Sequence, residues 1–425
     1  MKVFIIGSGG KIHSLIWKLA RSKRVAKIFC TFNNAEIKKL AEFVDIRENE
    51  LDKLYEFIKE NQIDLTVIDS LTTANTGLAD KLREEGLAVF GAGKNSCKAR
   101  MTRGFAKKFM HKYKIPTPKF GVFDKESQAI TYARAAEYPQ VIKFDSRAPG
   151  TGTIVCESFN EARNAVSFCL KNLYKPVVLE NYIRGRYISF QVITDGYNAV
   201  PLPVAYTYNK AEDGNLGFNT EGMGAYSPVS YFDTQMETKI AEKIFFPMID
   251  GLNAEKMGFA GLLRANIVID EKNNPYLVGI NINFGDPETQ TILPLLEEDL
   301  FEVMMLSSMG ALGDTYELFN ISDDHSVCVT LASEGYPGEY RKGDVIEGLD
   351  EIVDDNTYIF HAGTLKNIYG EIVTNGGRVL NVVSTASTLN RAQEMAYESV
   401  DLIEYPGMKY RKDIAKSVVL GGIQY

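Results

Sequence analysis

Lys143 closes the apolar run Val141-Ile142, and the glycine turn Gly150-Thr151-Gly152 begins seven residues later. A fixed ammonium beside a turn that lets backbone approach closely is what nucleotide phosphates require: a point charge plus N–H donors. A lysine reaching from a strand end to solvent makes the same local pattern. Further on, Val177–Ile183 reads VVLENYI. The end of such a strand offers backbone groups and an acid, Glu180, to an adenine edge, with Tyr182 beside it. A plain strand end has the same spacing.

Two polar, glycine-rich stretches follow: NTEGMGAYSP at Asn219–Pro228, and NINFGDPETQ at Asn281–Gln290. Both hold donors, acceptors and glycines more densely than a simple connector does, which suits loops that order an anionic ligand. Asn219, Thr220, Asp286 and Glu288 are their candidate catalytic groups. Gly222, Met223 and Gly224 are candidate substrate contacts. At the N-terminus, Gly7-Ser8-Gly9-Gly10 ends an apolar run and opens a helical one, so Gly9 and Gly10 could meet a phosphate at a helix N-terminus. It is not a full GxGxxG, and CTFNN after the second strand lacks the acid that would hold a dinucleotide ribose. A structural tight turn fits it equally.

The surrounding periodicity supplies the elements. Apolar runs at Lys2–Ile6, Ala26–Phe32 and Asp64–Ile68 alternate with helical patterns at Ser14–Arg21, Ala35–Phe43 and Leu51–Asn61, predicting a doubly wound α/β unit over residues 1–100. The helix Arg103–Tyr113 is stopped by Pro116 and Pro118. A small segment, about 120–186, contains Gln140–Phe144, Thr153–Cys156, the helix Asn160–Leu173 and Val177–Glu180. It should form a lid of its own. Strands at Tyr187–Thr194, Ala199–Tyr208, Gly261–Asp270 and Tyr276–Phe284, with helices at about Glu237–Met257 and Thr289–Met309, complete a unit over 101–325. From 326 to 425 the pattern is mixed α+β, with a hairpin-type turn at Thr374-Asn375-Gly376-Gly377 and a helix at Thr388–Leu402.

With 425 residues, 45% apolar and 24% charged, the chain has the composition of a multi-domain globular enzyme. A net charge of −8 argues against general nucleic-acid binding. No apolar run approaches membrane-span length, so small molecules are the expected partners. The five cysteines are scattered without a CxxC pair, which points to a reducing cytoplasm rather than a disulfide framework or thiolate zinc site. None of His13, His111, His325 and His361 has ligand spacing, and they are read as structural or exposed. A monomer or small homo-oligomer is expected.

At the two glycine-rich stretches the sequence resembles the glycinamide ribonucleotide synthetase (phosphoribosylamine–glycine ligase) family, whose usual forms are NTGGMGAYSP and RFGDPETQ. The opening KVFIIGSGGKIHSLIWKLA is similar to its strand–GSGGREHAL–helix start. FAKKFMHKYKIPTP, GLLRANIVI, TNGGRVL and the tail AYESVDLIEYPGMKYRKDIA occur in the family's order. The resemblance implies an N-terminal α/β domain, an ATP-grasp core with a mobile lid and a C-terminal domain closing the site. It implies ATP and Mg²⁺ as cofactors, and a reaction joining glycine to 5-phosphoribosylamine in purine biosynthesis.

Several positions depart from the family's pattern. Where the family's metal site uses the Glu and Asn of LEYN, this chain reads Val278-Gly279-Ile280-Asn281, which leaves Asn281 as the metal residue and the site weakened or absent. The arginine before FGDPE is Asn283, and the lid's second lysine is Thr151. The acidic GEE after the hinge reads Gly185-Arg186-Tyr187. Arg147, Arg186, Arg264 and Lys210 are new or displaced cations. Three readings stay open: a divergent ligase of the family, an ATP-grasp ligase for another carboxylate and amine, and a nucleotide- or metabolite-binding protein without catalysis. The standard reaction is expected to run poorly.

Overall fold

A computed structural model of the chain describes residues 1–98, 102–145, 152–172, 174–314 and 320–416. Near the N-terminus, β1 (Lys2–Ile6), β2 (Lys27–Cys30), β3 (Glu42–Phe43), β4 (Leu65–Ile68) and β5 (Val89–Gly91) form one sheet in the order β3-β2-β1-β4-β5. Every pair in it is parallel. β4 is buried throughout and β1 along Val3–Ile6, as strands covered on both faces must be. The predicted helix Ala35–Phe43 is instead a single 3₁₀ turn, Ile37–Lys39, followed by the edge strand β3. Asn34 decides this. Its side-chain oxygen accepts from the backbone N–H groups of Glu36 and Ile37, while its amide donates to the carbonyl of His361, so the chain is pinned by a distant strand.

A second layer consists of β6 (Phe120–Phe123), β7 (Gln140–Lys143), β8 (Thr153–Cys156) and β9 (Val177–Asn181), ordered β6-β9-β7-β8 and antiparallel. Helices Glu126–Ala135 and Phe159–Lys171 pack on it. Ala133, Ile142, Ala162, Val166, Val177 and Leu179 belong to a core separate from the rest of the molecule's. Leu173, the predicted end of the second helix, lies outside the described residues.

The central segment comprises β10 (Gly185–Thr194), β11 (Ala199–Pro201), β12 (Tyr206–Thr207), β13 (Lys210–Glu212), β14 (Leu216–Asn219), β15 (Gly224–Ser227), β16 (Gly261–Asp270) and β17 (Pro275–Asn281). Its main sheet runs β11-β10-β16-β17. The predicted long strand Ala199–Tyr208 is two short ones in different sheets, because Pro201 and Pro203 have no N–H for a ladder. Pro294 likewise splits the predicted helix Thr289–Met309 into Glu288–Ile292, a 3₁₀ turn and Leu300–Ser308. The helical stretch Thr234–Ala254 contains a π turn at Ala241–Phe245, directly before Pro247.

The last segment adds β18 (His325–Ala332), β19 (Thr357–His361), β20 (Thr364–Lys366), β21 (Ile372–Thr374) and β22 (Arg378–Ala386). A sheet ordered β12-β15-β18-β22-β19 joins it to the central segment, and helix Leu389–Val400 covers it. Thr374–Gly377 is not a hairpin. β21 pairs with β20, whereas β22 pairs with β18 and β19, so the turn carries the chain between two sheets. Gly363 and Gly376 cross there so closely that a Cβ on Gly363 would lie 2.5 Å from the Gly376 Cα.

The N-terminal helix Gly10–Leu19 docks on this last sheet. Trp17 packs edge-on against Tyr358 and Phe360, and the backbone N–H of His361 donates to His13 Nδ1 at 2.9 Å. Burial, reinforced by the neighbouring His361, lowers the His13 pKa to about 3. Burial, with Lys39 and Lys366 nearby, does the same for His361. Both rings are therefore neutral when folded, but titrate near 6.5 when unfolded. Stability from this docking is present above about pH 6.5 and is lost as pH falls toward 3, by about 1.4 kcal/mol per pH unit for each histidine. Thermal melts at pH 7 and pH 5 should show the loss. His13→Asn, which keeps an acceptor for the His361 N–H, should flatten the dependence; an unchanged slope in that variant would refute the assignment.

Candidate functional site

The most deeply charged place in the molecule lies where the β6–β9 layer meets β17. Lys143 ends β7, Glu180 stands near the end of β9, and Lys107 points inward from helix Arg103–Lys112. Thr102 caps that helix by accepting from the Phe105 N–H. Glu180 forms ion pairs with both lysines, one through each carboxylate oxygen, and all three side chains are buried. Lys143 also donates to the carbonyl of Val278 at 2.8 Å. Lys107 donates to Thr117 Oγ1 at 2.6 Å, and that hydroxyl donates to the carbonyl of Leu277 at 2.8 Å.

One carboxylate thus serves two ammonium groups. Burial pushes the Glu180 carboxyl upward, but the two lysines outweigh it and hold the group below the usual carboxylate range. Burial lowers both lysines in spite of Glu180, Lys107 to about 8. Within this trio two cations share one carboxylate, which favours an anion nearby. The sequence reading missed Lys107. The available signal was its place on the buried stripe of its helix, three residues from both Gly104 and Met110.

The other predicted nucleotide residues are distributed unevenly. The Gly152 carbonyl accepts from the Phe144 N–H at 3.0 Å, which places Gly152 beside the end of β7; Gly150 and Thr151 lie outside the described residues. Asn219 Nδ2 reaches the carbonyl of Thr153 at 3.3 Å, linking its loop to the same layer. Tyr182 is largely exposed beyond β9.

The glycine-rich stretches converge from three directions. Gly9 has φ +90, and a Cβ there would lie 3.1 Å from Asp286 Oδ2. A Cβ on Gly10 would meet Asn381 Nδ2 at 2.4 Å and Gln290 Nε2 at 2.8 Å, so only glycine lets the helix start approach this loop. Gly222, with φ +121, packs on Pro287. Thr220 Oγ1 accepts from the Gly222 N–H at 3.0 Å. Gly224 lies against the Cys328 carbonyl, and Met223 is buried, its backbone bonded to Tyr208 and Thr330. These two therefore hold the loop in place rather than face open space. Asp286 Oδ1 accepts from Gln290 Nε2 at 2.7 Å and from Arg378 at 3.0 Å. Arg378, also missed from sequence, donates to the carbonyls of Glu221 and Asp286 as well. Lys11 pairs with buried Asp69 at 2.6 Å, and Asp69 accepts from the Phe284 N–H at 2.7 Å, clamping the N-terminal sheet to the same loop.

Between the lysine cluster and these loops runs one face of β10, β16 and β17. Arg264 lies opposite Asn281, and Asn266 opposite Gly279; across the other strand, Gln191 faces Arg264 and Ser189 faces Asn266. Arg264 holds Glu288 at 2.7 Å. Among the described residues, Ser189 Oγ, Gln191 Nε2, Arg264 Nε and Asn266 Oδ1 on this face, and Glu288 Oε2 on the loop above it, are buried without a hydrogen-bond partner. Folded proteins leave few such atoms, so the face is a candidate for a polar ligand.

The same face tests whether Mg²⁺ fits. Mg²⁺ requires hard oxygen ligands, usually including a carboxylate. Gly279 offers no side chain, and Asn266 and Asn281 are neutral amides. The two carboxylates on the loop above, Asp286 and Glu288, are each already paired with a guanidinium, of Arg378 and Arg264, that would repel a cation. Among the described residues, those present on this face do not fit the ion.

If the lysine cluster is held by Glu180 alone, Glu180→Gln should leave two buried ammoniums unpaired and destabilise the fold by roughly 3–5 kcal/mol. Adding Lys143→Met to it should recover part of that loss. Denaturant melts of the single and double variants measure both, and a double variant no more stable than the single one would contradict the shared-charge arrangement.

Comparison with known proteins agrees with this architecture. The phosphoribosylglycinamide synthetase N domain matches residues 1–100, its ATP-grasp (A) domain residues 101–289, and its C domain residues 326–417. The phosphoribosylamine–glycine ligase of Caldanaerobacter subterraneus is 37% identical over 421 residues, covering 98% of this chain and 99% of that protein. That of Halalkalibacterium halodurans is 38% identical, covering 99% and 97%. The crystal structure of the Thermotoga maritima phosphoribosylamine–glycine ligase superposes with a TM-score of 0.84 at 29% identity, covering 98% of this chain and 100% of that one. A biotin carboxylase domain from Hydrogenobacter thermophilus shares the fold at 15% identity, with a TM-score of 0.72. From its first strand to its last helix, the chain belongs to the phosphoribosylglycinamide synthetase family.

Proposed function

We propose that this protein is an ATP-dependent carboxylate–amine ligase that joins glycine to 5-phosphoribosylamine, forming glycinamide ribonucleotide, ADP and phosphate in cytoplasmic purine biosynthesis. The carrying observation is the buried pair Lys107 and Lys143 converging on one carboxylate, two fixed ammoniums of the kind that hold a nucleotide's phosphates. We assign residues 1–100, 101–325 and 326–425 to its three domains, with 120–186 as the lid.

In this reading Lys107 and Lys143 hold ATP phosphates, Gly150 and Gly152 cover them, and the strand end at Glu180 and Tyr182 meets the adenine. A glycine carboxylate oxygen attacks the γ-phosphorus, the bond to the ADP oxygen breaks, and an acyl phosphate forms. The amine nitrogen of phosphoribosylamine then attacks the carbonyl carbon, the carbon–oxygen bond to phosphate breaks, and the nitrogen loses a proton. Gly9, Gly10, Gly222, Met223 and Gly224 shape the cleft for the phosphorylated amine. Asn219, Thr220, Asp286 and Glu288 orient the reacting groups. Closure of the lid excludes water that would hydrolyse the acyl phosphate.

A ligase for another carboxylate is the second reading. It is favoured by Asn283, which stands where the family's arginine is expected and weakens the hold on a glycine carboxylate. Lys143→Ala should weaken ATP binding about tenfold or more, the scale of one charged hydrogen bond, as read by calorimetric titration. Unchanged affinity would remove Lys143 from the site. ADP release with glycine and freshly generated phosphoribosylamine should run more than about tenfold slower than in a family member with every motif intact, a barrier difference above ~1.4 kcal/mol. Turnover within that factor would make this an ordinary member of the family.

A further inference from the structure

Three observations on β16 and β17 concern what balances the phosphates. Lys143 donates to the carbonyl of Val278, which places its ammonium beside Gly279. Gly279 leaves a gap: a Cβ there would have no neighbour closer than 3.4 Å, the nearest being Asn266 Nδ2. The next cross-strand pair on the same face, about 7 Å further along, is Asn281 and Arg264. Arg264 spends Nη1 on Glu288, while its buried Nε has no hydrogen-bond partner among the described residues. Continuing from Lys107 and Lys143, this strand pair thus presents a further fixed cation with a donor to spare.

We infer that Arg264 is a built-in cation that binds the terminal phosphates of the nucleotide and replaces a divalent metal ion at that position, so that ATP binds without Mg²⁺. The inference rests on the nucleotide-binding reading above. Glu288 orients the guanidinium and keeps it in place when the cleft is empty. The planar fork offers directed N–H donors to phosphate oxygens, which a lysine at the same place would not. Gly279 contributes by omission, since a carboxylate there would compete with phosphate for Arg264. Asn266 and Asn281, both neutral, neither attract a divalent ion nor repel phosphate.

The test is calorimetric titration of the full chain with the non-hydrolysable analogue β,γ-methylene-ATP, in EDTA and in excess Mg²⁺. The wild-type dissociation constants should agree within about threefold, because the protein supplies the charge itself. Arg264→Met should weaken binding in EDTA by tenfold or more, and Arg264→Lys by less. Arg264→Met/Gly279→Glu, with the competing charge gone and a carboxylate restored, should bind at least tenfold tighter with Mg²⁺ than without. If Arg264→Met is poorly folded because Glu288 loses its partner, Arg264→Met/Glu288→Gln serves in its place and should show the same loss. Wild-type binding that weakens tenfold or more in EDTA overturns the inference and leaves the nucleotide site standing. So does full affinity in folded Arg264→Met or its Glu288→Gln companion. No binding in either condition overturns both.

Discussion

Two ammonium groups sharing one carboxylate, out of water, form the constraint around which the rest of the cleft is arranged. Burying a charge is tolerated only when it is paired and hydrogen-bonded. Glu180 offers two oxygens, and each lysine takes one. A second donor of each is taken by Thr117 and by the carbonyl of Val278, which belong to the linker after the Arg103–Lys112 helix and to β17. The four-stranded layer, that helix and the central sheet are therefore tied at one point. Among the described residues the tie joins two cations to one carboxylate, an arrangement that favours an anion nearby.

A second set of contacts shapes the far wall of the cleft. Lys11 and Asp69 bring the N-terminal sheet to Phe284, and Gly9 and Gly10 let the first helix begin against Asp286 and Gln290. Arg378 draws β22 of the last sheet to the carbonyls of Glu221 and Asp286. The loop at Gly285–Gln290 is thus touched from the N-terminal, central and C-terminal parts of the chain. Its backbone and most of its acids are already engaged. Beneath it lies the face of β10, β16 and β17, where, among the described residues, buried polar atoms without partners gather.

Scaffold and charge in this cleft answer to different constraints. Gly222 and Gly224 sit where a Cβ would overlap neighbouring backbone, so the fold itself demands them. Gly279 is under no such demand, having ordinary van der Waals room for a Cβ. A change of side chain there alters the chemistry of the face and leaves the architecture intact.

Much of this was legible in the amino-acid sequence. Unbroken apolar runs gave away the parallel sheet, since strands buried on both faces need no alternation. NTEGMGAYSP and FGDPETQ pointed to the family and to the cleft, because dense glycine and polar residues record close backbone approaches that few other arrangements need. Lys143 and Glu180 were singled out because each stands at or near the end of an apolar strand; that they pair with each other is a matter of packing. The tertiary structure alone decided the rest. Lys107 lies in a helix whose other lysines face solvent, and only packing against β17 makes it a buried partner of Glu180. Arg378 and Arg264 acquire their roles through carboxylates on distant loops. Asn34 replaces a predicted helix with a single turn because it bonds to His361, and Thr374–Gly377 passes between two sheets instead of folding into a hairpin. Local periodicity reports which face of an element is buried; which charge meets which depends on contacts between residues far apart in the chain, and no local pattern encodes them.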